Sequence, residues 1–424
     1  MSRFGAFISY ARADGEAFAT ALRERLAQEA PDVRLWQDRL EIEGGVGWWR
    51  QIEQALEQVD FLVIVMTPAA IASEITRKEW RAGRQLGVCV FPVQGPGFRL
   101  DDPRLPGWMR RTHIYDLERQ WSTFVAHLRR GCQPTRVPFM APPLPSNFVA
   151  RWREFDLLRS KVLDGDTQDA ISIATVLAGA GGFGKTTLAA ALCHDEAITD
   201  AFDDGVLWAT LGQTPNIQGE LTRLYAALTG ERPGFISIED AAQALGEKLE
   251  HKCCLIVVDD VWDVAQLKPF LRGGPGCARV VTTRQALVAA EGERITVDEM
   301  TGSEAVSLLV SGLDQRPTDL QPYSRLAQRL GEWPLLLKLA SAAMRQRLER
   351  GDSSEGALRY VERALDRRGV TAFDRQRSSD RHEAVLSTIG MSLDLLEPAN
   401  RERCVELAIF PEDVAVPSVV LGEL

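Results

Sequence analysis

The sequence predicts an α/β protein with two parallel sheets, followed by a helical region. Strand-like and helix-like segments alternate over about the first 130 residues and again up to about residue 298. Within the second region a glycine-rich loop lies between a strand-like and a helix-like run, and beyond about residue 300 the apolar periodicity is mostly helical. At ~100–200 residues per domain, the 424 residues correspond to about three domains.

The first region, 1–133, alternates regularly. Its strand-like runs are 4–10, 33–36, 60–67, 88–93 and 112–115, and its helical runs are 16–29, 48–58, 68–86 and 118–129. This alternation is typical of a parallel sheet with helices on both faces. A flavodoxin-like strand order would place the loop after the first strand at the ligand-binding edge of the sheet.

The remaining chain divides by composition and periodicity. Residues 134–147 carry five prolines and predict a stiff extended linker. We expect a second α/β domain over 148–298 and a helical domain over 299–380. The final segment, 381–424, ends after an apolar stretch, and we expect the sequence to be part of a longer protein.

A phosphate-binding loop is the most specific motif. Residues 179–186 match G-x-x-x-x-G-K-[ST] at every fixed position, and Thr187 follows. Glycines let backbone N–H groups surround phosphate oxygens, and the following helix presents its positive end to them. Lys185 would reach the terminal phosphates, and the Thr186 hydroxyl would bind Mg²⁺. The loop residues expected to contact nucleotide are Gly179, Gly181, Gly182, Gly184, Lys185, Thr186 and Thr187.

A dinucleotide-binding fingerprint is the rival interpretation of this loop. Residues 179–184 also satisfy G-x-G-x-x-G, and Asp203 lies near the position of a ribose-binding acid. However, Asp203 precedes the next strand-like run instead of ending it, and that fingerprint does not explain the Lys-Thr-Thr sequence. The motif therefore favours a nucleoside triphosphate over a dinucleotide.

Two further strands end in polar residues suited to the same ligand. An apolar run ends at Asp259 and Asp260, and a carboxylate there completes Mg²⁺ coordination beside a phosphate loop. Another ends at Thr283 and Arg284, whose guanidinium could pair with a terminal phosphate. Asp260 directly follows Asp259, at a position where efficient nucleotide hydrolases often carry a longer Glu as the base. We therefore expect ATP turnover to be slow or absent. An Asp turn and a surface arginine are the alternative, purely structural interpretations.

Composition excludes several classes of function. The net charge of −10 disfavours nucleic-acid binding through a broad basic face. No apolar run approaches the ~18 residues of a membrane helix, and no signal segment opens the chain. The seven cysteines are scattered and odd in number, so a reducing, cytoplasmic compartment is expected.

Glu79 is the most unusual residue of the first region. Ile71, Ile75, Ala82 and Leu86 recur with it at intervals of three or four, so Glu79 interrupts an apolar helical stripe. A buried unpaired carboxylate is costly, which indicates either a structural salt bridge or a functional role.

The second and third regions resemble NB-ARC domains of STAND nucleotide switches, which occur in plant resistance proteins and apoptosome-forming activators. The matching sequences are Asn147-Phe-Val-Ala-Arg151, the phosphate loop, Asp259-Asp260, Arg284, Gly331-Glu-Trp-Pro334 and a winged-helix opening from Ala408. The resemblance implies adenine-side contacts from Val149, Arg151 and Pro334, with ADP held when closed and ATP when open. Trp333 departs from the usual Leu.

The first region resembles a TIR domain through residues 7–14, 33–38, 44–49 and 69–80. The family pattern S-x-W-x-x-x-E is met at Ser73 and Glu79, with Ile75 replacing Trp. Several TIR domains cleave NAD⁺ with a Glu at the position matching Glu79, so the resemblance implies this catalytic role. The expected substrate contacts are Tyr10, Arg12, Trp36, Asp38 and Trp48, although such residues also serve in packing.

Together these features favour a cytoplasmic, bacterial or plant-type immune receptor. A C-terminal sensor for an unknown trigger would open the switch, and the resulting homo-oligomer would hydrolyse NAD⁺. Two alternatives remain: a non-catalytic TIR scaffold that recruits partners, and a STAND-class transcriptional regulator.

Overall fold

A computed structural model gives the structure of the chain. It describes residues 5–36, 48–131, 136–164, 174–178, 182–285, 288, 293–313 and 317–368. The predicted winged-helix segment, 381–424, lies outside these residues, as do Asp38, Gly179 and Gly181. Among the described residues, no helix is both long and apolar enough to cross a bilayer.

The first region forms a four-stranded parallel sheet in the order β2-β1-β3-β4. Its elements are β1 (Ala6–Ser9), α1 (Glu16–Glu29), β2 (Leu35–Trp36), α2 (Trp48–Gln58), β3 (Phe61–Met66), α3 (Pro68–Ala72), α4 (Glu74–Leu86), β4 (Cys89–Gln94), α5 (Gly107–Arg111) and α6 (Trp121–Arg130). Every residue of the central strand β3 is buried, as expected for a sheet covered on both faces. The predicted fifth strand is reduced to one parallel bridge, Val93 to Tyr115. The order of the strands agrees with the flavodoxin-like expectation.

The predicted helix 68–86 is two helices. Ser73 ends α3 in an extended conformation, and its side chain then accepts a hydrogen bond from the Thr76 N–H as the N-cap of α4. The break changes which residues face inward: Glu79 and Trp80 are buried, whereas Ile75 is 49% exposed. The prediction that Ile75 belongs to the buried stripe was therefore wrong, while the burial of Glu79 was right.

The proline-rich linker lies along the edge of the second sheet. Phe139 forms a parallel bridge with Val206, and Met140 N–H donates to the Val206 carbonyl at 2.9 Å. Val206 N–H donates in turn to the Pro138 carbonyl at 2.9 Å. This part of the predicted extended linker is therefore attached to an edge strand of the second sheet.

The second region forms a five-stranded parallel sheet in the order β6-β7-β8-β5-β9. Its elements are α7 (Trp152–Asp164), β5 (Ala174–Ala178), α8 (Lys185–Cys193), α9 (Glu196–Ala201), β6 (Gly205–Thr210), α10 (Ile217–Thr229), α11 (Ile238–Leu249), β7 (Cys254–Val261), α12 (Val264–Leu267), β8 (Ala278–Thr283) and β9 (Glu293–Thr296). The phosphate-loop strand β5 pairs with β8 and β9, so the ends of β7 and β8 lie beside the loop.

Helices complete the described chain. They are α13 (Gly302–Val310), α14 (Gln321–Arg329), α15 (Pro334–Glu349) and α16 (Ser354–Arg368). Their buried faces join one apolar cluster with α8 and with one face of the second sheet, including Leu188, Val257 and Leu337. Helical packing therefore reaches directly to the phosphate loop.

The cysteines are not all free. Among the described cysteines, Cys193, Cys253, Cys254 and Cys277 are free and Cys89 is disulfide-bonded. The sequence argument for a reducing compartment did not anticipate this bond.

Candidate functional site: a phosphate loop and a buried carboxylate

The phosphate loop leads directly into α8. Gly184 adopts φ 87°, which favours glycine, and α8 begins at Lys185. The Lys185 side chain is buried, and burial lowers its pKa to about 8, helped by the positive charge of Arg284 and opposed by Asp260 and Asp259. A polyphosphate would supply the negative charge that this buried ammonium favours.

Asp259 and Thr186 provide the oxygen atoms suited to Mg²⁺. The Thr186 hydroxyl donates to the Asp259 carboxylate at 2.8 Å, and the Thr282 hydroxyl donates to the same oxygen at 2.6 Å. Asp259 is buried at the carboxyl end of β7. A hydroxyl and a carboxylate in contact are a donor set that fits Mg²⁺, which takes one or two protein ligands and several waters or phosphate oxygens.

Asp260 and Arg284 lie beside that pair. Asp260 adopts φ 53°, uncommon for a non-glycine residue, and its N–H donates to the Thr282 hydroxyl at 2.9 Å. The Asp260 carboxylate accepts from Trp262 Nε1 at 3.0 Å and lies 3.8 Å from Arg284 Nε. Arg284 also lies 5.5 Å from the centre of the Trp262 ring. The half-exposed guanidinium is thus held near the loop by a carboxylate and an aromatic ring.

A mostly apolar pocket opens next to the loop. It is bordered by the end of the linker, the start of α8 and the first turn of α15. Its lining includes the predicted contacts Val149, Arg151, Gly184, Thr187 and Pro334, together with Phe148, Phe183, Met300, Leu308 and Lys338. A mostly apolar pocket joined to a phosphate-binding loop has the composition expected of a base-binding site.

Arg151 holds the walls of this pocket together. Its guanidinium donates to the backbone carbonyls of Phe183, Asp298 and Glu299 at 3.0–3.1 Å and to the Glu154 carboxylate at 3.0 Å. The side chain is buried. These contacts tie the loop to the segment after β9, so Arg151 supports the pocket as well as lining it.

Trp333 connects the helical part to the phosphate loop. Its ring stacks on Phe183 with centroids 5.3 Å apart and planes 15° apart. The Leu335 N–H donates to the Gly182 carbonyl at 3.2 Å. Sequence reasoning treated Trp333 only as a departure from the family pattern, and the stacked pair explains what the larger side chain contacts.

In the first region, Glu79 contacts the end of β1. The Ser9 hydroxyl donates to the Glu79 carboxylate at 2.5 Å, and both residues are buried. Sequence reasoning missed Ser9, although its place as the last residue of a strand next to Tyr10 was a usable signal. This contact brings Glu79 to the carboxyl end of the sheet, where α/β domains bind ligands.

The expected substrate contacts of the first region have different environments. Tyr10 is half-buried directly after β1, and Arg12 is exposed. Trp36 stacks on Phe7, with centroids 4.9 Å apart and planes 25° apart, so its ring takes part in packing. Asp38 lies outside the described residues, as does the side chain of Trp48.

Asp203 does not line the pocket beside the phosphate loop. Its side chain is 3% exposed and pairs with Arg111 of the first region at 3.0 Å. Burial raises its pKa, and the Arg111 charge opposes that rise. This placement gives no support to the dinucleotide-binding interpretation, in which the acid would contact a ribose.

Both α/β regions match known family models. Residues 6–130 match the family model of the TIR domain, and residues 156–310 match that of the NB-ARC domain. A probable disease resistance protein of Arabidopsis thaliana is 29% identical over 62% of this chain and 29% of its own length. Apoptotic protease-activating factor 1 of Danio rerio is 27% identical over 67% of this chain and 23% of its own length.

A third relative is named as a regulatory protein. Regulatory protein AfsR of Streptomyces coelicolor is 28% identical over 50% of this chain and 22% of its own length. The matched part of the chain thus spans less than a third of each of these three relatives.

Proposed function

Because the chain carries a TIR domain followed by an NB-ARC domain, we propose that it is an immune-type signalling receptor in which bound ADP or ATP controls NAD⁺ cleavage by the TIR domain. The observation that carries the catalytic half is the buried contact of Glu79 with Ser9 at the carboxyl end of the first sheet. The observation that carries the control half is the phosphate loop, with Lys185 and the Thr186–Asp259 pair beside an apolar pocket.

In the nucleotide domain, the loop and the pocket would bind different parts of the nucleotide. The pocket next to Phe183 and Pro334 would take the base, and Lys185 would neutralise the terminal phosphates. Thr186 and Asp259 would hold Mg²⁺, which neutralises phosphate charge when bound. Arg284, already near Lys185, would exchange Asp260 for the terminal phosphate of ATP and thereby distinguish ATP from ADP.

In the TIR domain, a single carboxylate is enough for the proposed reaction. The C1′–N bond of NAD⁺ breaks, and its electron pair leaves with the nicotinamide ring, which becomes neutral and needs no general acid. Water then adds to C1′ of the ribose and loses a proton, giving ADP-ribose, nicotinamide and H⁺. Glu79 would stabilise the oxocarbenium-like transition state and orient the ribose hydroxyls.

Ser9 would hold the carboxylate in place for this chemistry. Its hydroxyl donates to the Glu79 carboxylate, and both residues are buried, so the hydrogen bond would fix the orientation of the carboxylate. Arg12, Tyr10 and the segment that contains Asp38 and Trp48 are the proposed contacts for the rest of the dinucleotide. Self-association of TIR domains in the cytoplasm after nucleotide exchange would activate the site, in response to a trigger of unknown chemistry.

The decisive experiment compares NAD⁺ loss in three forms of the activated full-length protein: wild type, Glu79→Gln and Glu74→Gln. Glu74 lies in the exposed first turn of the same helix α4, so its substitution is a matched control. We expect Glu79→Gln to lower the rate by ~10²–10³-fold and Glu74→Gln to leave it unchanged.

Other outcomes would reject parts of this assignment. Equal NAD⁺ loss in wild type and Glu79→Gln would remove Glu79 from the chemistry. No NAD⁺ loss in any of the three, with signalling retained, would favour the non-catalytic scaffold.

A further inference from the structure

The helix that carries Glu79 is also the helix by which the TIR domain contacts the nucleotide domain. Arg77, Arg81 and Arg84 follow one another along α4 at intervals of four and three residues and so share one face. Glu79 lies on the opposite side of the helix and is buried against Ser9 of the first sheet. One helix therefore presents a carboxylate to its own domain and a row of arginines to the neighbouring domain.

The arginine row meets an acidic helix, α9. Arg81 forms a two-pronged contact with Asp200, its Nε and Nη2 each 3.1 Å from a carboxylate oxygen, and its Nη1 lies 3.0 Å from Glu196. Arg77 lies 3.7 Å from Asp200. Arg81 is only 15% exposed and Asp200 24%, so this pair is more sheltered from water than an ordinary surface ion pair. Bidentate geometry of this kind fixes orientation as well as adding attraction.

A second contact and the linker border the same interface. Arg111 in α5 pairs with the buried Asp203 at 3.0 Å. The Val137 N–H donates to the Arg84 carbonyl at 3.0 Å, so the C-terminal end of α4 is joined to the linker that runs along β6. The TIR domain is thereby attached to the nucleotide domain at several points around α4.

The acidic partner helix lies close in sequence to the phosphate loop. Helix α8 begins at Lys185 and ends at Cys193, and α9 begins three residues later at Glu196. Asp195, the N-cap of α9, accepts hydrogen bonds from two backbone N–H groups of that helix. A rearrangement of α8 when nucleotide is exchanged would therefore reposition the acids that bind α4.

From this arrangement we propose that the arginine face of α4 is a docking surface for the acidic helix α9, and that docking restrains the TIR domain until α8 and α9 move. The docking claim stands on the interface alone. The restraint rests on the proposed NAD⁺ cleavage, because the docked helix α4 is the helix that carries Glu79.

Charge reversal tests the docking surface without reference to activity. Hydrogen exchange of α4 and α9 is measured in the full-length protein without trigger, for wild type, Arg81→Glu, Asp200→Arg, the double variant and Arg119→Glu. Arg119 is 86% exposed and pairs only across one turn with Asp116 in the described structure, so it is the matched control. We expect each reversal at the interface to speed exchange in both helices by ~10-fold or more, and the double variant to return toward wild type.

The outcomes separate docking from catalysis. Exchange in Arg81→Glu equal to that in Arg119→Glu would overturn the docking surface, and restoration in the double variant would exclude simple unfolding. NAD⁺ loss is then measured on the same proteins. Faster NAD⁺ loss in the interface variants than in wild type supports the restraint. If Glu79→Gln abolishes NAD⁺ loss but the interface variants lose NAD⁺ at the wild-type rate, the restraint is overturned. If no variant consumes NAD⁺, the proposed enzymatic function fails while the exchange result still decides the docking surface.

Discussion

Replacing Gly182 by alanine should reveal how tightly the phosphate loop is coupled to the helical part. Gly182 adopts φ 77°, and an added Cβ would lie 2.9 Å from Leu335 Cβ and 3.0 Å from Trp333 Nε1. The left-handed conformation costs ~1–2 kcal/mol for a non-glycine residue. The overlap adds the ~1–3 kcal/mol of an overpacked site, because Leu335 Cβ is fixed to the backbone of α15. We therefore expect a total loss of ~2–5 kcal/mol in the free energy of unfolding.

Gly230→Ala is the matched control for this substitution. Gly230 has φ 78° at the end of α10, and its added Cβ would meet nothing within 4 Å. Gly230→Ala should therefore lower the free energy of unfolding only by the ~1–2 kcal/mol of the left-handed conformation. Urea unfolding of both variants, followed by tryptophan fluorescence, measures the difference, and titration with a fluorescent ADP analogue measures binding. Equal losses of stability in the two variants, with unchanged ADP affinity, would refute a rigid contact between Gly182 and α15.

Three further substitutions test contacts beside the phosphate loop and within the first region. Trp333→Leu removes the ring stacked on Phe183 and should lower the free energy of unfolding by roughly 2 kcal/mol, less than the ~3–5 kcal/mol of a truncation to alanine. The same substitution should speed ADP release, which stopped-flow fluorescence measures. Asp259→Asn should lower the affinity for Mg²⁺–ATP at least ~10-fold while metal-free ADP binds nearly as before; equal loss for both ligands in a titration calorimeter would contradict the metal role. Asp14→Ala should cost roughly 2 kcal/mol of TIR-domain stability with no effect on ADP affinity, because Asp14 accepts from the Thr67 hydroxyl and the Ala69 N–H.

The contacts of the candidate nucleotide site were predictable where its residues follow local rules. A glycine-rich loop before a helix and an acid at the end of a buried strand occupy fixed places in a parallel sheet, so Thr186 and Asp259 could be paired before their 2.8 Å contact was known. Thr282 could not be assigned in the same way. Its hydroxyl reaches Asp259 only because β7 and β8 are neighbours in a particular register, and register is a tertiary property.

The interpretation of α4 shows where periodicity is informative and where it fails. Glu79 was expected to be buried because it interrupts an apolar stripe, and it is 5% exposed. The stripe was extended back to Ile71, however, across a helix break at Ser73. A break changes the rotation of the second helix relative to the first, so Ile75 faces solvent although its spacing from Ile71 is four residues.

The interface between the two domains has no local signature at all. Arg81 and Asp200 are 119 residues apart, and neither helix sequence indicates that the two side chains meet. Ionic contacts suit a reversible interface, because exposed or partly sheltered ion pairs contribute little net stability and are weakened by salt. An apolar interface of the same extent would hold the domains together more permanently. The chemistry of this contact therefore agrees with a TIR domain that is held in one nucleotide state and released in another, with Arg81 only two residues from the proposed catalytic carboxylate.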